Sequence, residues 1–144
     1  MGFLQACFYL AVGLIAGSGL KSGPAGAVVL LFLATLIAAG FGALGAFLAL
    51  RTGSAESVQG FFPLLFVGLF ISSMNAPRNL MAVTWFRDIA TGNPVSYLIE
   101  GVRSLIIEGW NGQALALAFG VSAVIMVVAL AAASSALRMR LTRT

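Results

Sequence analysis

From Gly26 to Leu50 the chain runs without a single charged side chain. That stretch exceeds the roughly 20 apolar residues a helix needs to cross a hydrocarbon core about 30 Å thick, so it reads as a tilted membrane-spanning helix. The whole composition agrees: 60% of residues are hydrophobic, 8% are charged and the mean hydropathy is +1.05. Soluble domains carry roughly a quarter charged residues, so the chain is read as an integral membrane protein. Its pI near 10.3 reflects a net charge of +4 from eight Lys and Arg scattered along the sequence. No basic run or face is broad enough to track phosphates, which argues against nucleic acid as a partner. Cys7 is alone in an apolar run and His is absent. No internal disulfide and no ordinary zinc or haem ligand set can therefore be assembled, and the chain is expected to hold no cofactor or metal.

Four apolar stretches set the organisation: residues 3–20, 26–50, 60–75 and 113–137. The first resembles a signal peptide in length, but no basic residue precedes it, and Lys21 and a second apolar stretch follow at once. In the third, Pro63 suits a first helical turn. The fourth leads into the basic tail Arg138 to Thr144. Small residues recur at four-residue spacing, Gly13 with Gly17, Ala38 with Gly42 and Ala46, and Ala129 with Ala133. Such rows let helix backbones approach closely in lipid, and the expected architecture is an all-α, polytopic bundle of about four transmembrane helices in one domain, residues 1–144.

Residues 77–109 interrupt this pattern. A helix from Pro77 to Ala90 gathers Met81, Ala82, Trp85, Phe86 and Ile89 on one face, with Arg78, Asn79, Thr84 and Asp88 elsewhere. Thr91-Gly92 ends it. Asn93 as N-cap and Pro94 at the first helical position start a second helix, whose Val95, Leu98, Ile99, Val102, Leu105 and Ile106 form one stripe. Glu100 and Arg103 lie one turn apart and are expected to pair. Gly109 closes the helix and Trp110 suits a membrane interface. Each helix, at roughly 20 to 24 Å, falls short of the bilayer core and carries both signs of charge. A re-entrant or interfacial helical hairpin is the expectation, with an extramembrane helical loop as the alternative.

The string from Asn93 through Pro94, Val95, Ser96, Tyr97, Leu98, Ile99, Glu100, Gly101 and Val102 to Arg103 resembles a motif of type-2 ABC transporter permeases. There an Asn-Pro, a Ser/Thr-Tyr, an acid and an Arg recur near the C-terminus, in the drug-resistance exporter branch in particular. Arg51-Thr52 closing one span, Val58-Gln59 opening the next, a Pro77-containing link and a last span with a basic tail come in that family's order.

The resemblance implies a permease subunit of an exporter of drug-like or lipid-like molecules, with ATP and Mg bound by a nucleotide-binding ATPase partner. The chain has no G-x-x-x-x-G-K-[ST] phosphate loop of its own. It implies as motif and hairpin residues Asn93, Pro94, Ser96, Tyr97, Glu100 and Arg103, and a cytoplasmic loop bearing Arg51, Glu56 and Gln59. The family has six spans, and this chain starts at what resembles the third. The missing spans or a second permease copy are therefore expected as partners, beside membrane lipid, and the alternative function is a non-transporting scaffold or anchor. Basic residues divide evenly, Arg51, Arg138, Arg140 and Arg143 on one side against Lys21, Arg78, Arg87 and Arg103 on the other. The tail arginines have no acidic neighbour in the sequence, and together with the resemblance they place the C-terminus in the cytoplasm of a bacterial cell, with the protein in its inner membrane.

Overall fold

A computed structural model describes residues 2–141; Arg143 and the last residues of the basic tail lie outside it. The element order is α1 (Gly2–Ile15), α2 (Gly23–Thr52), α3 (Ala55–Phe70), a 3-10 turn (Arg78–Leu80), α4 (Thr84–Gly92), α5 (Pro94–Arg103), a π turn (Ser104–Glu108) and α6 (Gly112–Leu141). No strand occurs among the described residues.

The frame is the pair α2 and α6, each 30 residues and strongly apolar, with mean hydropathy 2.5 and 2.6 over their richest windows. At about 1.5 Å per residue each is about 45 Å long, enough to span with tilt. They run parallel. Gly40 of α2 faces Ile125 and Met126, and the ends of both helices meet where Leu50 and Arg51 share a pocket with Ala136 and Arg140. The buried positions recur every seven residues, Gly26, Leu33 and Gly40 on α2 and Ser122, Ala129 and Ala136 on α6. A seven-residue repeat keeps one seam facing its partner only if the helices wrap with a small left-handed crossing. At Gly40 a Cβ would stand 3.3 Å from the Met126 backbone N, so glycine sets how closely the helices approach.

The shorter apolar helices flank this pair. Helix α1 packs antiparallel on α2, beginning with Gly2 against Ala38. It stops at Ile15, short of the expected residue 20, because the chain turns at Gly17, whose φ of +88° suits glycine alone. Helix α3 covers residues 55–70 rather than 60–75. Its start is fixed by Ser54, whose hydroxyl accepts the Ser57 N–H at 3.2 Å, and by Glu56 in the first turn. Pro63 therefore lies inside the helix, not in its first turn, and leaves the Gln59 carbonyl without its helical donor.

Packing is inverted relative to a soluble protein. The buried apolar set is dominated by Ala43, Ala90, Ala118, Ala129 and Ala136, while Phe8, Phe32, Phe62, Phe66 and Phe70 point outward. Large apolar side chains outside and small ones at helix contacts are what hydrocarbon solvent selects, so the fold is a membrane helical bundle. The four-residue rows fare unevenly. Ala129 is in the seam, whereas Gly13 and Gly42 face open space and Gly17 lies beyond α1.

Candidate functional site

The second half of the hairpin forms as its sequence dictates. The Asn93 side chain accepts the Val95 N–H at 3.0 Å, and Pro94 opens α5 with a fixed φ and no N–H to satisfy. The same Asn93 donates its amide to the Gly68 carbonyl at 2.6 Å, so the cap also ties α5 to α3. Ser96 is fully buried. Its Oγ accepts the Ser73 N–H at 3.1 Å and its carbonyl accepts the Ser73 hydroxyl at 3.1 Å, a reciprocal pair that closes the end of α3 on the start of α5. The Tyr97 hydroxyl donates to the Thr91 carbonyl at 2.8 Å, fastening α5 to the end of α4.

Glu100 does not pair with Arg103. Its carboxylate accepts two hydrogen bonds from Arg78, at 2.8 Å from Nε and 2.7 Å from Nη2, and the Arg78 guanidinium also lies 4.2 Å from the centre of the Tyr97 ring. Both side chains of the pair are about one-fifth exposed. The fork geometry of Arg, bidentate to a carboxylate and stacked on an aromatic face, outcompetes a single contact along one helix. Burial opposes the charge on Glu100, but the hydrogen bonds and charge of Arg78 outweigh it and lower its pKa below the ordinary value. The hydrogen bond to Glu100 raises the pKa of Arg78, against its own partial burial.

Arg103 is engaged elsewhere. Its Nη2 donates to the carbonyls of Ser73 and Met74 at 2.8 and 3.0 Å, in the turn after α3, while Nη1 is buried with no acceptor. These carbonyls lie in the turn just past the end of α3, so Arg103 ties α5 to that turn. At the far end of α5 the last turn widens to a π turn, closed by the Gly109 N–H on the Ser104 carbonyl at 2.6 Å. The carbonyls of Leu105 and Ile106 are taken by the loop before α2. Ser22 donates both its N–H and its hydroxyl to Leu105, and the Lys21 N–H bonds Ile106. Gly109 then leaves the helix at φ +100°, ψ −160°, a region only glycine enters readily.

These latches fix where α5 lies. Leu105 sits beside Gly26, Gly101 touches both Leu33 and Ala118, and Val95 and Leu98 share a cleft with Ile37 and Phe41. Helix α5 therefore runs antiparallel to both long helices. Its N-terminus is about 16 Å along α2 from Gly26, at about 1.5 Å per residue. Apolar clefts flank it on two sides, one of about 370 Å³ against α1 and α2 and one of about 400 Å³ against α2 and α3, and Val102 lines both. A third pocket of about 360 Å³ is polar, lined by Arg78, Arg87, Glu100, Glu108 and Asn111.

The first half of the hairpin departs from expectation. The chain makes a 3-10 turn at Arg78–Leu80, stays extended through Met81 and Val83, and becomes helical only at Thr84. Arg78 is held by Glu100 and Met81 is buried, which together pull this segment off a helical path. Helix α4 is consequently about 14 Å long and presents Trp85 and Ile89 outward rather than to the core. Arg51, Glu56 and Gln59 are not in a loop either. Arg51 lies in the last turn of α2 and the other two lie in the first turns of α3, at the opposite end of the bundle from Glu100, with only Gly53 and Ser54 between the helices.

The sequence brought out Asn93, Pro94, Ser96, Tyr97, Glu100 and Arg103, and all six converge on or beside α5. It did not bring out Arg78 as a partner, nor Ser22, Ser73 and Gly101. Those contacts join residues 22, 83 and 23 positions apart, and no local pattern marks them.

An apolar two-helix frame holding a polar-latched helical insert is the architecture of a membrane-embedded helical protein. A family model described as ABC-2 type transporter matches residues 1–107, α1 through most of the π turn, and the chain belongs to that family of ABC transporter membrane components. Such a component is a permease and not itself the catalyst. No curated protein and no solved structure gives a match.

Proposed function

We propose that the chain is the permease subunit of an ATP-driven exporter in the drug-resistance branch of the family, moving hydrophobic drug-like or lipid-like molecules. The observation that carries this reading is the pair of apolar clefts on either side of α5, walled by residues such as Leu31, Ala34, Phe41, Leu69 and Val102. A hydrophobic solute fits such a wall, whereas a sugar or ion would leave polar groups unpaired. Hydrolysis of ATP falls to a separate nucleotide-binding subunit, which supplies the ATP and Mg site. The four apolar helices then act as the last four of six spans, with the remaining spans or a second permease copy completing the path. The hairpin of α4 and α5 re-enters the membrane from the outer face. Its position alongside Gly26 to Phe41 of α2 supports that placement. The C-terminus is cytoplasmic, in a bacterial inner membrane.

In the assembled transporter, Val102→Trp places a large ring between both clefts. ATP-dependent efflux of a hydrophobic dye should fall at least tenfold while the protein still reaches the membrane. Undiminished efflux would overturn the path assignment, and a chain that assembles but supports no efflux even as wild type would favour the non-transporting scaffold.

A further inference from the structure

We propose that the end of the bundle opposite the hairpin holds a binding site for the headgroup of an anionic phospholipid. Helices α2 and α6 finish side by side, and between their last turns lies a pocket of about 490 Å³ lined by Leu50, Arg51, Ala136, Met139 and Arg140. One arginine comes from each helix. Among the described residues neither guanidinium has a carboxylate within ion-pair distance. The acid nearest in sequence, Glu56, accepts a hydrogen bond from the Ser54 hydroxyl. Arg140 Nη2 instead lies over Gly53, 2.8 Å from where a Cβ would stand, so the turn between α2 and α3 leaves room for that side chain to reach the pocket.

The level of the pocket along the helices selects the ligand. Both helices are uncharged from their first residue until Arg51 and Arg138, so the pocket opens where they leave the hydrocarbon, at headgroup depth. Leu50, Ala136 and Met139 give the pocket an apolar wall beside the two cations, suited to the glycerol and the first methylenes of a lipid. The guanidiniums suit its phosphate, which they can hold bidentately. A soluble phosphate would meet the same cations but gain nothing from that wall. Basic pockets between membrane helices recognise anionic headgroups in this way.

The site is tested with the full chain in nanodiscs of neutral phosphatidylcholine carrying graded phosphatidylglycerol, reading lipid retained in native mass spectrometry and the thermal midpoint. Wild type should retain phosphatidylglycerol in preference to phosphatidylcholine. Arg51→Gln and Arg140→Gln should each weaken that preference about fivefold and the double variant roughly 25-fold, from the loss of one or both guanidinium contacts to the headgroup phosphate. Arg138→Gln, which removes an equal charge outside the pocket, should change it less than twofold. Equal losses for Arg138→Gln and Arg51→Gln would overturn the site in favour of diffuse attraction. A midpoint raised equally by inorganic phosphate in phosphatidylcholine discs would overturn the lipid as ligand.

Discussion

Arg78 and Glu100 carry the strongest polar contact between the hairpin's entry and α5, and its fork geometry and stacking on Tyr97 make it more than a surface ion pair. Fully solvated pairs contribute about 0–1 kcal/mol and removing one member of a buried pair costs about 3–5 kcal/mol, so a pair one-fifth exposed falls between, near 1–3 kcal/mol. Glu100→Gln or Arg78→Met should lower the thermal midpoint by several degrees, and the double variant should recover part of the loss. The pH dependence follows from the lowered pKa of Glu100 in the folded chain. Its stabilisation is complete above the ordinary value of 4.5 and is lost as pH falls through the lower folded value. The difference in midpoint between wild type and Glu100→Gln, measured from pH 7 down to pH 3, should therefore shrink toward zero at the acid end. A constant difference would mean that the carboxylate is not what holds Arg78.

Helix α5 owes its position to close approach as much as to hydrogen bonds. A Cβ on Gly101 would stand 2.3 Å from the Ala118 Cβ and 3.4 Å from Leu33, so even alanine there must push α5 away from α6. Overpacking of this kind costs about 1–3 kcal/mol, and Gly101→Ala should lower the thermal midpoint while Gly120→Ala, on the open side of α6, should not. Equal midpoints for both would show that α5 is not seated against α6. The sequence made α5 legible because Asn-Pro fixes its start, Gly109 its end and a single apolar stripe its buried face. Helix α4 was not legible in the same way. Its apolar residues satisfy a helical wheel, but in lipid an apolar face is as content outward as inward, so periodicity alone does not tell which side packs. The Glu100 partner was missed for a related reason: three-residue spacing suggested Arg103, whereas the choice is made by acceptors that arrive from distant parts of the chain.

For the whole molecule, the two long spans and the all-helical class were plain from uncharged runs, and the seven-residue seam was hidden because Gly, Ala and Ser are common everywhere in α2 and α6. The hairpin, latched to α2 through Ser22, to α3 through Asn93, Ser96 and Arg103, and to its own entry through Arg78, is built to stay rigid at one end of the bundle. The proposed topology sets that end and the Arg51 end on opposite sides of the membrane. The most direct test of this is cysteine accessibility in a Cys7→Ala background, in intact cells treated with a membrane-impermeant thiol reagent. Asn111→Cys should label from outside and Ser54→Cys only after permeabilisation; Ser54→Cys labelling in intact cells, or both positions labelling from the same side, would contradict the proposed topology.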